Sequence, residues 1–179
     1  DDDSPSPVDE PVTIYEQYGV PFQDVPSTED IVMYEINLRA FSSTGDLAGV
    51  ISRIDSIAAL GVNVIWLMPI HPIGQVNSVN SPYSVKDYKA VNPEFGTLED
   101  LRKLTDEAHL RGIAVIMDWV ANHTAWDHEW ISDKSWYTQD NSGNIIHPAG
   151  TNWLDVADLN YGNADMRAAM IDAMTYWAY

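Results

Sequence analysis

The run from Val62 to Met68, "VNVIWLM", constrains the fold more than any other feature of the sequence. It is nearly continuous in apolar residues and begins directly after Gly61. A strand of that kind must be covered on both faces, which a parallel sheet with helical crossovers achieves. Its surroundings repeat the arrangement. A first strand is predicted from Ile31 in "IVMYEINL", rich in β-branched and aromatic residues. A helix capped by Asp46 follows, with Leu47, Val50, Ile51, Ile54, Ile57 and Ala58 at helical spacing and Gly61 as its stop. Further on, "TLED" from Thr97 reads as a capping box, and Leu98, Leu101, Leu104 and Ala108 form an apolar stripe that Gly112 ends. The third strand, "IAVIMD", starts at Ile113, and a last helix capped by Asn163 presents Met166, Met170, Ala173, Met174 and Trp177 on one face.

Three βα units in succession predict a parallel α/β architecture, with residues 31–118 forming its βαβαβ start and residues 163–179 its third helix. The connections are asymmetric. Helix-to-strand turns amount to little more than a glycine, while the strand-to-helix excursions are long, above all residues 119–162. The elaborated face is therefore the one at the carboxyl ends of the strands, where parallel βα folds place their sites. No glycine-rich phosphate loop follows any strand, which argues against a nucleotide-binding open sheet. A closed eight-stranded barrel takes about 250 residues, so the expectation is the first three units of a (β/α)8 TIM barrel in a chain that looks truncated. The strand-three edge and inner face would aggregate unless further chain closed them.

Residues 1–30 mix acidic residues with Pro5, Pro7, Pro11, Pro21 and Pro26, and read as a flexible, solvated segment. The acidic balance extends over the whole chain, 27 Asp and Glu against 9 Lys and Arg for a net charge of -18, which repels nucleic acid and anionic membranes but leaves a neutral polysaccharide unaffected. With no cysteine, disulfide and thiolate chemistry are excluded. No apolar run approaches the length of a membrane span.

Strand three ends in Asp118, which alternation places on the face of Ala114 and Ile116, either at a cleft floor or as a structural partner of an arginine. Asn122 and His123 follow. Zinc is a poor fit, as no second histidine or thiolate stands at ligand spacing. Asn122 with the distant Asp158 suits calcium better, the other reading being ordinary turns and caps. Trp119, Trp126, Trp130, Trp136 and Trp153 crowd the second excursion, either as its small core or along a groove.

"DWVANHT", from Asp118 to Thr124, resembles the first conserved region of the alpha-amylase family, glycoside hydrolase family 13. "SPYSVKDYKAVNPEFGT" before it, "LRKLTDEAHLRGIAVIMD" leading into it and "VADLN" after it match the same family in the same order, so the resemblance runs from about Ile31 to the C-terminus. It implies a retaining hydrolase of alpha-1,4-linked glucans such as starch, with residues 119–162 as the excursion called domain B. It further implies that Tyr83 stacks on the sugar beside the scissile bond, that His123 hydrogen-bonds sugar hydroxyls, that Asp118 is a structural cleft residue, and that Asn122 and Asp158 bind a structural calcium ion. The family's nucleophile, acid/base and third carboxylate lie on later strands, so no catalytic residue is expected within this chain. Relatives acting on short isomaltose-type substrates carry an acidic metal loop after strand one. Here that stretch is "SSTGDLAG", and no ion is expected there. Asp87 and Asp155 are read as solvated or structural. The competing reading is a non-catalytic glucan-binding or assembly protein on the same scaffold. A monomer when complete, and an extracellular or lipid-anchored cell-surface location, complete the expectations.

Overall fold

The structure, a computed structural model, describes residues 14–179. Its frame is a parallel sheet of β1 (Met33–Ile36), β2 (Val64–Leu67) and β3 (Ala114–Met117) in the order β1-β2-β3. Register aligns Met33 with Val64 and Ala114, and Ile36 with Leu67 and Met117. Around it lie the helices α1 (Leu38–Phe41), α2 (Leu47–Ile51), α3 (Ile54–Ala58) and α4 (Leu98–His109). Ile36, Ile65 and Leu67 meet Leu47, Val50, Leu104 and Ile113 in one core, all fully buried. Alternation sends Met33, Glu35, Trp66 and Ile116 to the opposite face, where Met33 and Ile116 are each 43% exposed. This is the open face expected of barrel strands.

Local chemistry explains the element ends. The Thr97 hydroxyl accepts from the Asp100 amide at 3.2 Å, and the Asp100 carboxylate accepts from the Thr97 amide at 2.8 Å, which closes the capping box. Gly61 and Gly112 take φ of 79° and 69°, the left-handed turn that ends each helix without a Cβ penalty. The single helix predicted from Asp46 to Ala58 is instead two. The Ser52 hydroxyl donates to the Gly49 carbonyl at 2.8 Å and the Arg53 amide to Val50 at 2.9 Å, so the turn tightens and the axis breaks.

The excursion after β3 is built on an antiparallel pair, β4 (His123–Ala125) with β5 (Val156–Asp158), and leads to α5 (Ala164–Ala178). A second core joins Val85, Tyr88, Val120, Tyr137, Leu159, Met166 and Met170, with Trp119, Trp126, Trp130 and Trp136 packed against it. All four have a packing role, and Trp119 also reaches the cleft at the strand ends. Met174 departs from the expected stripe and is 50% exposed, while Trp177 keeps its place by donating its indole N–H to the Tyr88 carbonyl at 2.6 Å.

The reading of residues 1–30 as flexible needs correction from Ile14 onward; residues 1–13 lie outside the described ones. The Tyr15 phenol donates to Asp172 at 2.9 Å and receives Lys89 at 2.7 Å, with Lys89 also paired to Asp172. Tyr18 donates to Asp106 at 2.8 Å beneath Arg102, and Phe22 stacks on His109 at 4.4 Å. Aromatic side chains thus fasten a segment that its backbone leaves irregular.

Two buried histidines flank Tyr88. His71 and His128 each leave Nε2 without a partner, and burial pulls each down from 6.5 to about 4. Unfolded histidine charges near pH 6.5 while the folded form stays neutral to about 4, so their contribution is intact above 6.5 and is lost as pH falls toward 4. The loss is roughly 3 kcal/mol for each. Melting temperature in the intact protein is expected to fall between pH 6.5 and 4.5, and less steeply in His71→Phe. An equal slope in both proteins would contradict this account.

Candidate active site

At the carboxyl ends of the strands lies a cleft of about 590 Å³. Its floor is Asp118, whose amide follows the ladder by donating to Leu67 at 2.8 Å. The Tyr83 phenol, from the connection between β2 and α4, donates to the Asp118 carboxylate at 3.1 Å. Burial first, then the Asp118 charge, pushes the phenol up from its usual value, so Tyr83 is a donor at neutral pH. Among the described residues no ion pair includes Asp118, and its side chain lines the cleft.

His123 is 5% exposed on the adjoining wall. Asn122 donates its side-chain amide to Nδ1, and Nε2 faces the Tyr83 carbonyl at 3.1 Å. These partners assign the neutral tautomer with its proton on Nε2. Burial lowers the histidine below its usual value, against the pull of Asp155 and Asp158. Both nitrogens therefore already have protein partners, and a sugar hydroxyl reaching His123 would have to share or displace the Tyr83 carbonyl.

Asn122 and Asp158 lie on neighbouring stretches of backbone. Pairing of β4 with β5 sets His123 opposite Asp158, and the Leu159 amide donates to the Asn122 carbonyl at 3.1 Å. Their oxygens are the hard donors calcium prefers, and the Asn122 amide oxygen is left over from the bond to His123. A calcium ion takes six to eight oxygens, and among the described residues no group of three or more His, Cys, Asp or Glu gathers around an ion position. The pair fits part of a calcium shell only.

Sequence reasoning misses Asp155 in the cleft and Arg39 beside it, and leaves Trp153 open between core and groove. Asp155, read as solvated or structural, is 9% exposed and lines the wall, its carbonyl held by the Ser84 hydroxyl at 3.1 Å. Trp153 lines it too. Arg39, on α1, donates to the Asn80 carbonyl at 2.9 Å and side chain at 3.1 Å, and pairs with Glu94 at 3.0 Å. It thereby pins the loop carrying Tyr83, in which Asn77 and Asn80 adopt φ of 55° and 60°. The signals were weak: one aspartate before a strand, one tryptophan among seven, one arginine far from its loop in sequence. A second groove of about 640 Å³, between residues 15–25 and α4, has its Asp106 and Arg102 engaged with Tyr18 and makes a poorer candidate.

The family model of the alpha-amylase catalytic domain matches residues 18–148. A probable oligo-1,6-glucosidase of Bacillus subtilis is 32% identical over 188 residues, covering 83% of this chain and 32% of that protein. Alpha-amylase SusG of Bacteroides thetaiotaomicron is 39% identical over 109 residues, covering 58% of this chain and 15% of its own length. Among solved structures, an alpha-amylase from Lactobacillus plantarum superposes with a TM-score of 0.79 at 39% identity, covering 83% of this chain and 36% of that one. The chain thus spans about a third or less of the length of these relatives.

The Arg39 clamp has a measurable consequence. In Arg39→Ala, amide hydrogen exchange across residues 76–83 is expected to quicken, while global stability changes by less than about 1 kcal/mol because the pair is surface-exposed. Unchanged protection in that loop would remove the clamp.

Proposed function

The chain belongs to the alpha-amylase family of glycoside hydrolases, and from that premise we propose that it forms the glucan-holding part of a retaining glycosidase acting on alpha-1,4-linked glucans. The observation that carries the proposal is the convergence of Tyr83, Asp118 and His123 on one cleft at the carboxyl ends of parallel strands. A pyranose presents an apolar C–H face and a rim of hydroxyls. The half-exposed Tyr83 ring suits the face, and the oxygens of Asp118, Asn122 and Asp155 suit the rim.

Retaining hydrolysis needs two carboxyl groups about 5 to 5.5 Å apart, one as nucleophile and one as acid and then base. Neither role is assigned here. Asp118 accepts the Tyr83 phenol and anchors the cleft floor, and we propose that the reacting pair comes from barrel strands other than the three described. Tyr83, held by Asp118 through its phenol and by His123 through its carbonyl, orients the sugar ring.

The relatives carry names for different linkages, an oligo-1,6-glucosidase and amylases among them. The alpha-1,4 choice rests on the loop "SSTGDLAG", where Asp46 is the one carboxylate. It accepts from the Thr44 hydroxyl at 2.7 Å and caps the Gly49 amide at 2.8 Å. That carboxylate is committed to the helix and not available to an ion, in keeping with a starch-type substrate. We also propose that Asn122 and Asp158 supply two ligands of a calcium site whose remaining oxygens come from elsewhere.

In the intact protein Tyr83→Ala is expected to lower kcat/KM on maltohexaose about tenfold, the value of one lost stacking contact. Unchanged kinetics would sink the stacking role. Hydrolysis of isomaltose in preference to maltose would overturn the linkage, and binding without turnover would favour a non-catalytic glucan binder. Chelation by EDTA should lower the melting temperature. If melting is the same with EDTA and with added calcium, the ligand assignment of Asn122 and Asp158 fails.

A further inference from the structure

Trp153 stands apart from the other tryptophans of its excursion. Trp119, Trp126, Trp130 and Trp136 pack against the second core, whereas Trp153 is 48% exposed on the cleft wall. Leaving a large aromatic surface in water forgoes the stabilisation its burial would give. A frayed loop would explain that exposure, but the backbone here is fastened on both sides. The Trp126 indole N–H donates to the Leu154 carbonyl at 2.9 Å and the Ser84 hydroxyl to the Asp155 carbonyl at 3.1 Å. On the other side the Thr151 hydroxyl donates to the Pro148 carbonyl at 2.7 Å and accepts from the Trp153 amide at 3.3 Å. The ring is thus presented to the cleft from a rigid base.

Its place within the cleft gives the exposure a use. Trp153 meets the His123 ring in a T-shaped contact, 5.7 Å between centroids, and the other ring nitrogen contact of His123 is to the carbonyl of Tyr83, itself 37% exposed. Two exposed aromatics therefore border the same buried histidine, with Asp155 beside them at the cleft wall. We propose that Trp153 is a second sugar-stacking platform, holding the glucosyl unit next to the one that rests on Tyr83. The inference builds on the glucan-holding function proposed above and adds its consequence for chain length. One platform suffices for a single glucose ring, whereas Trp153 is engaged only by a chain of two or more units. A tryptophan suits this task because its broad rigid face costs little conformational entropy to order.

The test is isothermal titration of the intact protein with glucose and with maltohexaose made hydrolysis-resistant by sulfur in place of its glycosidic oxygens, on the wild type, Trp153→Ala and Trp153→Phe. Maltohexaose affinity is expected to fall about tenfold in Trp153→Ala and to recover by at least half of that loss in Trp153→Phe, while glucose affinity moves less than about twofold. An equal loss for both sugars, or no loss for either, overturns the platform. If Trp153→Ala fails to fold, Trp153→Phe carries the test: it must bind maltohexaose within about threefold of the wild type, yet lose that affinity in Trp153→Leu, which keeps bulk without a ring. Wild-type binding of maltohexaose that ignores position 153 removes the platform and leaves the glucan reading standing. A wild type that binds no maltooligosaccharide removes both.

Discussion

The buried phenol of Tyr88 is the interaction on which the cleft depends. It lies 2.7 Å from the Val120 carbonyl and 2.9 Å from that of His123. It is 2% exposed, and burial pushes it well above the usual tyrosine range, so it remains a donor at any ordinary pH. Val120 and His123 span the turn that leaves β3 and enters β4, the stretch containing Asn122. A polar group in a core is costly when unpaired, and pairing it with these carbonyls fixes the path of the backbone. Around the same ring pack Trp119, Trp130, His71 and His128, and its carbonyl takes the Trp177 indole. One residue ties the sheet, the excursion and α5 together.

The cleft built on that tie is a chain of dipoles rather than of charges. Asn122 donates to His123, His123 to the Tyr83 carbonyl, and the Tyr83 phenol to Asp118. A neutral histidine and a protonated tyrosine leave the Asp118 carboxylate as the charge at the end of the chain. A neutral, hydroxyl-rich ligand is recognised by such an array without the desolvation penalty that a charged ligand would bring. Orientation of the array is set once by the backbone, so little would be lost in ordering it around such a ligand.

Much of the frame was legible from Val62–Met68, from the two helix-ending glycines and from the Thr97 cap, because each is a local device whose cause lies within a few residues. What failed was decided at a distance or by competition. Ser52 reads as one more helical position until its hydroxyl takes the Gly49 carbonyl. Composition made residues 14–30 look solvated, yet Tyr15, Tyr18 and Phe22 are three rings in an otherwise proline-rich and acidic stretch, and each finds a partner on a helix. Asn122 and His123 stood out as neighbours, but the tautomer of His123 depends on Tyr83, 40 residues earlier. Five tryptophans crowd one excursion in the sequence, and only packing separates the four held against the core, of which Trp119 also reaches the cleft, from the exposed Trp153.

The open face of the sheet bears on the chemistry as well as on stability. Met33, Trp66 and Ile116 share it with Glu35, and Asp118 continues it one step past β3. Apolar side chains at 43% exposure call for a cover, which barrels of this family's architecture supply by layering inward-facing side chains. Asp118 lies two residues past Ile116 on that face, and a carboxylate moved into a drier place needs donors to stay charged. The Tyr83 phenol is one such donor already in place.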